Sequence, residues 1–375
     1  MSFPMTPAEA RVDLSAIRAN TALLRSRASG AQVMATVKAD GYGHGMAACA
    51  RAALEGGADR LGTASVREAL ALRAAGVAAP VLSWLIPPGE PLAEAVAGDV
   101  ELAAGAPWLV DEIAEAAGRA GRPARVHLKA DTGNGRGGAT AADWPALLDR
   151  ALARQAEGTV EITGLWSHLA CADVPGHPSV AAQLDAFDEA LAVAEKAGAA
   201  GSHVIRHIAN SAAALALPRA RYDMVRPGIA LYGLSPVPEL GDFGLRPAMT
   251  LVARLALVKR VPEGSGVSYG HLYVTDCETT LGLVPLGYAD GIPRHATNRA
   301  EVLAGGRRRR IAGRVCMDQF VIDVGDDPVT EGDEVVLFGD GSRGEPTVQE
   351  WADSLGTITY EIVTGIGSRV PRVYR

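Results

Sequence analysis

Lys38 closes a short apolar run, Val33-Met34-Ala35-Thr36-Val37, and opens a glycine-punctuated loop, Ala39-Asp40-Gly41-Tyr42-Gly43-His44-Gly45. A buried strand that delivers an amine into such a loop suits a cofactor site. The amine can form a Schiff base with pyridoxal phosphate, while the loop and Tyr42 approach the phosphate. A lone lysine before a turn is ordinarily a surface residue, so the case rests on its companions. Lys129 leads into Ala130-Asp131-Thr132-Gly133-Asn134-Gly135-Arg136-Gly137, and His168, Asn210 with Ser211, and Arg226 with Gly228 and Ile229 each follow or end an apolar run. Taken singly, His168 reads as a core histidine, the loop after Lys129 as a plain turn and Ser211 as a cap for a helix over 212–217.

The elements that must position these residues follow from periodicity. Eight apolar runs, over 33–37, 60–64, 80–85, 99–102, 124–129, 161–168, 204–209 and 224–229, read as strands, the fourth being the weakest. Helical patterns alternate with them, as over 66–73, 109–113 and 183–191, and Gly76 and Gly198 close two of these helices. Strand and helix alternating in this way predict a (β/α)8 barrel, whose active sites form at the C-terminal ends of the strands. Each polar residue named above falls at such an end. Loops after the seventh and eighth strands, where Ser211 and Gly228 lie, commonly bind phosphate in barrels.

After about residue 240 the helical pattern gives way to Val- and Leu-rich runs over 251–261, 279–285, 309–312, 319–324 and 333–337, with one short helix over 348–355. This predicts a mostly antiparallel β-domain. The expected division is a barrel over 11–240, a hinge near 234–246, and a β-domain over 241–375 joined by residues 1–10.

Of the 375 residues, 48% are apolar and 21% charged, which is ordinary globular usage; the net charge of -7 argues against a nucleic-acid partner. The basic block Arg307 to Arg310 reads as a charged hairpin tip. Four scattered cysteines without a C-x-x-C fit reduced thiols in a cytoplasmic protein. Cys171, near His168 and His177, matches no zinc spacing, so no metal site is expected. Residues 1–5 lack a signal-peptide pattern, and no apolar run is long enough for a membrane span.

The chain resembles the bacterial alanine racemases. The resemblance is carried by Val37-Lys38-Ala39-Asp40-Gly41-Tyr42-Gly43-His44-Gly45 and by Val126-His127-Leu128-Lys129-Ala130-Asp131-Thr132-Gly133. It continues through Ser167-His168-Leu169-Ala170-Cys171-Ala172-Asp173, Ala209-Asn210-Ser211-Ala212-Ala213 and Val225-Arg226-Pro227-Gly228-Ile229-Ala230-Leu231-Tyr232-Gly233. Val267-Ser268-Tyr269-Gly270, Gly313-Arg314-Val315-Cys316-Met317-Asp318-Gln319, Tyr360-Glu361 and Arg369-Val370-Pro371-Arg372 extend it to nearly the whole chain. It implies a pyridoxal-phosphate enzyme that interconverts L- and D-alanine for peptidoglycan. It also implies a homodimer in which Tyr269 and Met317 enter the other subunit's site.

By the same resemblance, Lys38 carries the cofactor and acts as base on the D-amino-acid face, while Tyr269 serves the L-face, linked to His168 and on to Arg226. Arg226 would meet the pyridine nitrogen and donate a hydrogen bond without protonating it. Arg136 would face the cofactor phenolic oxygen and the substrate carboxylate, with Lys129 carbamylated beside it in some relatives. Tyr42, Ser211, Gly228, Ile229 and Tyr360 would hold the phosphate, and Met317 and Asp318 the substrate end. Asn134 stands where many relatives carry Met. A broad-specificity racemase is the nearest rival. A pyridoxal-phosphate decarboxylase would usually place an acid, not Arg226, at the ring nitrogen. A lone-barrel pyridoxal-phosphate homeostasis protein would lack Tyr269 and the β-domain.

Overall fold

The computed structural model describes residues 6–375. The contacts divide the chain into two compact units, Ile17–Gly41 with Met46–Leu245, and Met1–Ala16 with Tyr42–Gly45 and Arg246–Arg375. The residue 1–5 segment lies outside the described residues.

The first unit is the eight-stranded parallel barrel that the alternating pattern predicts. After β1 (Ala8–Val12), which belongs to the other unit, come β2 (Gln32–Thr36), β3 (Arg60–Thr63), β4 (Val81–Ser83), β5 (Val100–Ala104), β6 (Ala124–Lys129), β7 (Val160–Trp166), β8 (Ile205–His207) and β9 (Met224–Val225). They lie in the order β8-β7-β6-β5-β4-β3-β2-β9. Backbone bonds from Asp223 to Arg206 at 3.1 Å and from Arg226 to Ala209 at 2.9 Å draw β9 against the β8 segment and nearly close the ring. The strand expected to be weakest, β5, is buried at all five positions. The expected runs 204–209 and 224–229 instead shorten to three and two residues. Beyond them the chain leaves the ladder and forms the rim.

The interior is a packed layer of Met34, Leu82, Ala103, Trp166, Ile205 and Met224. One irregularity matters for function. Along the β6–β7 ladder Val126 pairs with Ile162 and His127 with Gly164, so the register skips a residue. A Cβ at Gly164 would sit 2.2 Å from the His127 ring, so the glycine is the space the imidazole occupies.

The second unit is built on β1, β10 (Met249–Arg254), β11 (Leu257–Val261), β12 (Gly266–Val267), β13 (Tyr273–Val274), β14 (Thr279–Val284), β15 (Glu301–Ala304), β16 (Arg307–Arg310), β17 (Phe320–Gly325), β18 (Glu334–Phe338) and β19 (Arg372–Tyr374). Its main sheet runs β16-β15-β18-β10-β1-β19, with β11-β14-β17 and β12-β13 beside it. Pairing is antiparallel except for β1 with β19. The run expected over 251–261 breaks at Leu255-Ala256 and feeds two sheets. The basic block is the strand β16, and the hairpin tip is Gly305-Gly306, both with positive φ. Arg308 in that strand pairs with Glu350 at 2.6 Å, so part of the charge is spent on its own domain. The helix Val348–Leu355 forms as expected, capped by Thr347 and Glu350, and a second, Thr359–Gly365, carries Tyr360.

Gly164→Ala should overpack the barrel and cost about 1–3 kcal/mol of stability. Chemical unfolding with a wild-type midpoint would show that the His127 slot is not filled as described.

Candidate functional site

Lys38 is half-buried at the exit of β2, and the chain after it is strained. Ala39, Asp40, Gly41 and Tyr42 have φ of 52°, 51°, 62° and 52°, a run of left-handed conformations in which only one residue is glycine. Each non-glycine residue held there costs about 1–2 kcal/mol. Local hydrogen bonds hold the turn. Ala39 N–H donates to Glu68 Oε1 at 2.6 Å, Met46 N–H to Asp40 Oδ1 at 2.8 Å, and Gly41 N–H to the Val37 carbonyl at 2.8 Å. Glu68 also caps its own helix, Val66–Ala74. The Lys38 ammonium is 5.9 Å from the Trp84 ring centroid. Burial, and then the positive charge of Arg136, lower its pKa, with Glu68 opposing them.

Lys129 ends β6 with its ammonium 4.6 Å from the Trp166 ring centroid. Burial, Arg136 and Arg226 push it down to about 8, although Asp131 pulls the other way. Asp131 shapes the loop beyond. Its Oδ1 accepts from the N–H groups of Gly133, Asn134 and Gly135 at 3.0, 2.8 and 3.2 Å. Arg136 is exposed on that loop.

Arg226, only 5% exposed, is the most constrained cation of the rim. Its Nη1 donates to His207 Nδ1 at 2.8 Å, and its Nη2 to the carbonyls of Ser167 and Ile208 at 2.8 and 3.3 Å. Nη2 also meets His168 Nδ1 at 3.2 Å, and the guanidinium carbon lies 4.9 Å from the Trp166 ring centroid. Burial lowers its pKa to about 9, which leaves it a cation at neutral pH. His168 is held well below the ordinary histidine range by burial and by Arg226, Arg136, Lys129 and Lys38, so the ring is neutral. With Nδ1 accepting from Arg226, its Nε2 carries the proton.

His168 lies two residues beyond β7 rather than at its end, on a loop fixed by Gln183, which accepts from Ala170 N–H and donates to the His168 carbonyl. Ser211 is not the cap of its helix. Asn210 is, with its side chain accepting from Ala213 N–H at 3.1 Å. The Ser211 hydroxyl instead accepts from Gly228 N–H at 2.8 Å and Ala230 N–H at 3.4 Å, tying the two rim loops together beside buried Ile229. Both acceptor positions being used, its O–H is left to donate.

In the second unit Tyr42 is buried and its ring centroid is 6.1 Å from that of Tyr360. Burial, with Tyr360 adding to it, raises the Tyr42 pKa, so the phenol stays protonated. Tyr269 is 70% exposed and Met317 54%, high values for such side chains. Tyr269 follows Ser268, whose φ of 60° is held by a 2.7 Å bond to the Arg314 carbonyl. The Met317 carbonyl accepts from Ala289 N–H at 2.9 Å, and Asp318 is engaged by Arg369 at 2.8 Å. Among the described residues no cluster of His, Cys, Asp and Glu could hold a metal, and no helix is long and apolar enough to cross a membrane.

Sequence reasoning passed over the inner layer: Trp84, Trp166, Glu101, His127 and His207. A signal existed, because His127 and Glu101 interrupt otherwise apolar strands, but its meaning depends on which strands become neighbours.

Two family profiles cover the chain. "Alanine racemase, N-terminal domain" matches residues 12–236 and "Alanine racemase, C-terminal domain" residues 248–374. The chain belongs to the alanine racemase family. It is 64% identical to the alanine racemase of Frankia casuarinae over 97% of this chain and 95% of that one. It is 62% identical to that of Thermobifida fusca over 98% of both. Among solved structures, the alanine racemase of a D-cycloserine-producing Streptomyces lavendulae superposes with a TM-score of 0.97 at 57% identity, covering 100% of this chain and 98% of the other.

The lowered Lys129 pKa gives a direct test. Acylation of this amine by an amine-selective reagent, followed by peptide mass spectrometry, should rise with pH through about 8. A midpoint in the ordinary lysine range, about 10.4, would show that the neighbouring cations do not act on it.

Proposed function

We propose that this chain is an alanine racemase that uses pyridoxal phosphate and works by two bases drawn from two subunits. The observation that carries the reading is the set Lys38, Lys129, His168, Ser211 and Arg226 at one rim of the barrel, in a chain whose relatives of that name match it end to end. The residues suit the cofactor by the chemistry of their donors. Lys38 is an amine whose charged form is disfavoured, as a Schiff-base lysine requires, and the surrounding cations call for an anionic ligand. Pyridoxal phosphate, when bound, supplies an electron sink that acidifies the Cα proton of an amino acid.

The chain's own groups then divide the work. Lys38, once neutral, takes or returns the proton on the D-face. Tyr269 of a second copy takes or returns it on the L-face. A free phenol, with a pKa near 10, is a poor base at neutral pH and needs a hydrogen-bond donor to its oxygen. The Nε2–H of neutral His168, held by Arg226, is that donor. Arg226 would donate to the ring nitrogen of the bound cofactor while keeping its own proton, and so would limit charge build-up there and disfavour side reactions. Arg136 and the backbone N–H of Met317 from a second copy hold the substrate carboxylate, with Asp318 beside Met317 completing the substrate end. Phosphate binding is the role of Tyr42, Ser211, Gly228, Ile229 and Tyr360.

The high exposure of Tyr269 and Met317 supports their use by a second copy. Lys129, beside Arg136 and with much of its amine neutral near pH 8, suits carbamylation, which would turn a repelling cation into an anion that pairs with Arg136. The reading carries a homodimer, a cytoplasmic setting and a supply of D-alanine for peptidoglycan.

The deciding assay measures interconversion of D- and L-alanine, with serine, lysine and arginine as controls. Alanine should be turned over fastest. Equal rates on all four would favour a broad-specificity racemase, and carbon dioxide release would overturn racemisation. Subunit sharing has its own test. Lys38→Ala and Tyr269→Ala chains should each be inactive, and equal mixtures refolded together should regain about one quarter of wild-type activity, because half the dimers are mixed and each has one intact site. No recovery in mixed dimers would show that both bases come from one chain. Carbon-13 bicarbonate should give a carbamate NMR signal that Lys129→Ala abolishes. Its absence in wild type would mean Lys129 stays an amine.

A further inference from the structure

Beneath the rim, a line of buried polar side chains runs through the barrel from Arg226. Arg226 Nη1 meets His207 Nδ1 at 2.8 Å, and His207 Nε2 meets His127 Nδ1 at 2.8 Å. His127 Nε2 meets Glu101 Oε2 at 3.2 Å, and Arg60 Nη1 grips both oxygens of Glu101 at 2.7 and 2.8 Å. His207 and His127 are fully buried and Glu101 is 2% exposed. His207 is further fixed by stacking on Trp166 at a centroid distance of 5.6 Å.

The two ends of this line settle its direction. A guanidinium can only donate, so His207 Nδ1 must accept and its Nε2 must carry the proton. His127 Nδ1 must then accept from His207, which leaves the His127 proton on Nε2, facing Glu101. A carboxylate can only accept, and Glu101 is one. Burial alone would raise its pKa, but His127 and Arg60 outweigh that and hold it at about 2. Every bond therefore runs from Arg226 toward Glu101, with a donor-only group at one end and an acceptor-only group at the other agreeing on the order of all three.

We propose that Glu101 is a positioning residue for the racemase site, setting the tautomers of His127 and His207 so that Arg226 is held by an acceptor and keeps its remaining donors for the cofactor ring. The step in the β6–β7 register and the bare Cα of Gly164 are the accommodation the fold makes for His127. A glutamine in place of Glu101 carries both a donor and an acceptor. Its amide could donate to His127 Nε2, reverse the line, and turn a His207 N–H against Arg226.

The inference rests on the racemase reading only for its catalytic consequence, so its test has two readouts. Nitrogen-15 NMR of histidine-labelled holoenzyme without substrate should show His207 and His127 each protonated at Nε2 and bare at Nδ1. In Glu101→Gln the His207 signals should move toward Nδ1 protonation or an average of the two. Racemase kcat should fall by about tenfold or more with KM for alanine changed much less, because the loss is one of alignment. His127→Phe leaves the Glu101–Arg60 pair in place and removes only the link. It should lower kcat in the same way, and it decides the matter if Glu101→Gln does not fold. The proposal is overturned by wild-type His207 protonated at Nδ1, by an unchanged His207 spectrum in Glu101→Gln, or by folded variants with wild-type kcat. A wild-type chain with the expected spectrum but no racemase activity would instead remove the functional reading and leave the tautomer assignment standing.

Discussion

A guanidinium buried without a carboxylate in contact is the constraint around which the barrel site is arranged. Moving Arg226 out of water is costly unless each of its donors is met. The protein engages Nη1 and Nη2 with two carbonyls and two imidazoles and lays an indole face against the guanidinium, all of them neutral. Nearby negative charge is Glu101, two imidazoles away. Neutral His168 follows from this choice, because a cationic imidazole would have no lone pair for Arg226 and would add to the repulsion among Lys38, Lys129 and Arg136. Burial, and after it the neighbouring cations, lower the two lysines, so the same surroundings both suit anionic ligands and ready amines for reaction.

Lys38 shows a different expense. The left-handed turn after it draws little support from its own residue types beyond Gly41 and Asp40, whose carboxylate accepts from Met46 N–H. It persists because Glu68, from the next βα unit, satisfies Ala39 N–H while capping its own helix. Strain of this kind is tolerated where it aims a side chain. A helix cap and the turn after Lys38 thus share one carboxylate, so the local stability of Val66–Ala74 and the placement of the amine are joined.

The second unit is organised differently. Its main sheet is completed by β1 from one end of the chain and β19 from the other, each pairing with a neighbour remote in sequence. Tyr269 and Met317 project from turns rather than from sheet interiors, and the Ser268 hydroxyl bond to the Arg314 carbonyl and a backbone bond at Met317 fix those turns while the two side chains stay exposed. The result is an exposed aromatic tip on a hydrogen-bonded support.

Much of this was legible in the residues themselves. The 2-versus-3.6 periodicity identified eight strands, the β-domain and the helix Val348–Leu355, because those patterns report which face each segment buries. The motif around Lys38 and the polar residues at the strand ends likewise pointed to one rim. Strand limits at β8 and β9 were not legible, since apolar residues continue into loops that the rim buries. Nor was the role of Arg307 to Arg310, which depends on Gly305-Gly306 making the turn. The line from Arg226 to Glu101 lay beyond sequence reasoning altogether. Its members sit on β3, β5, β6, β8 and just past β9, and hydrogen bonding among them is decided by barrel closure and by one skipped residue between β6 and β7. Local composition determines which segments bury an apolar face, whereas the direction of a buried hydrogen bond depends on its neighbours in space, which only the closed barrel brings together.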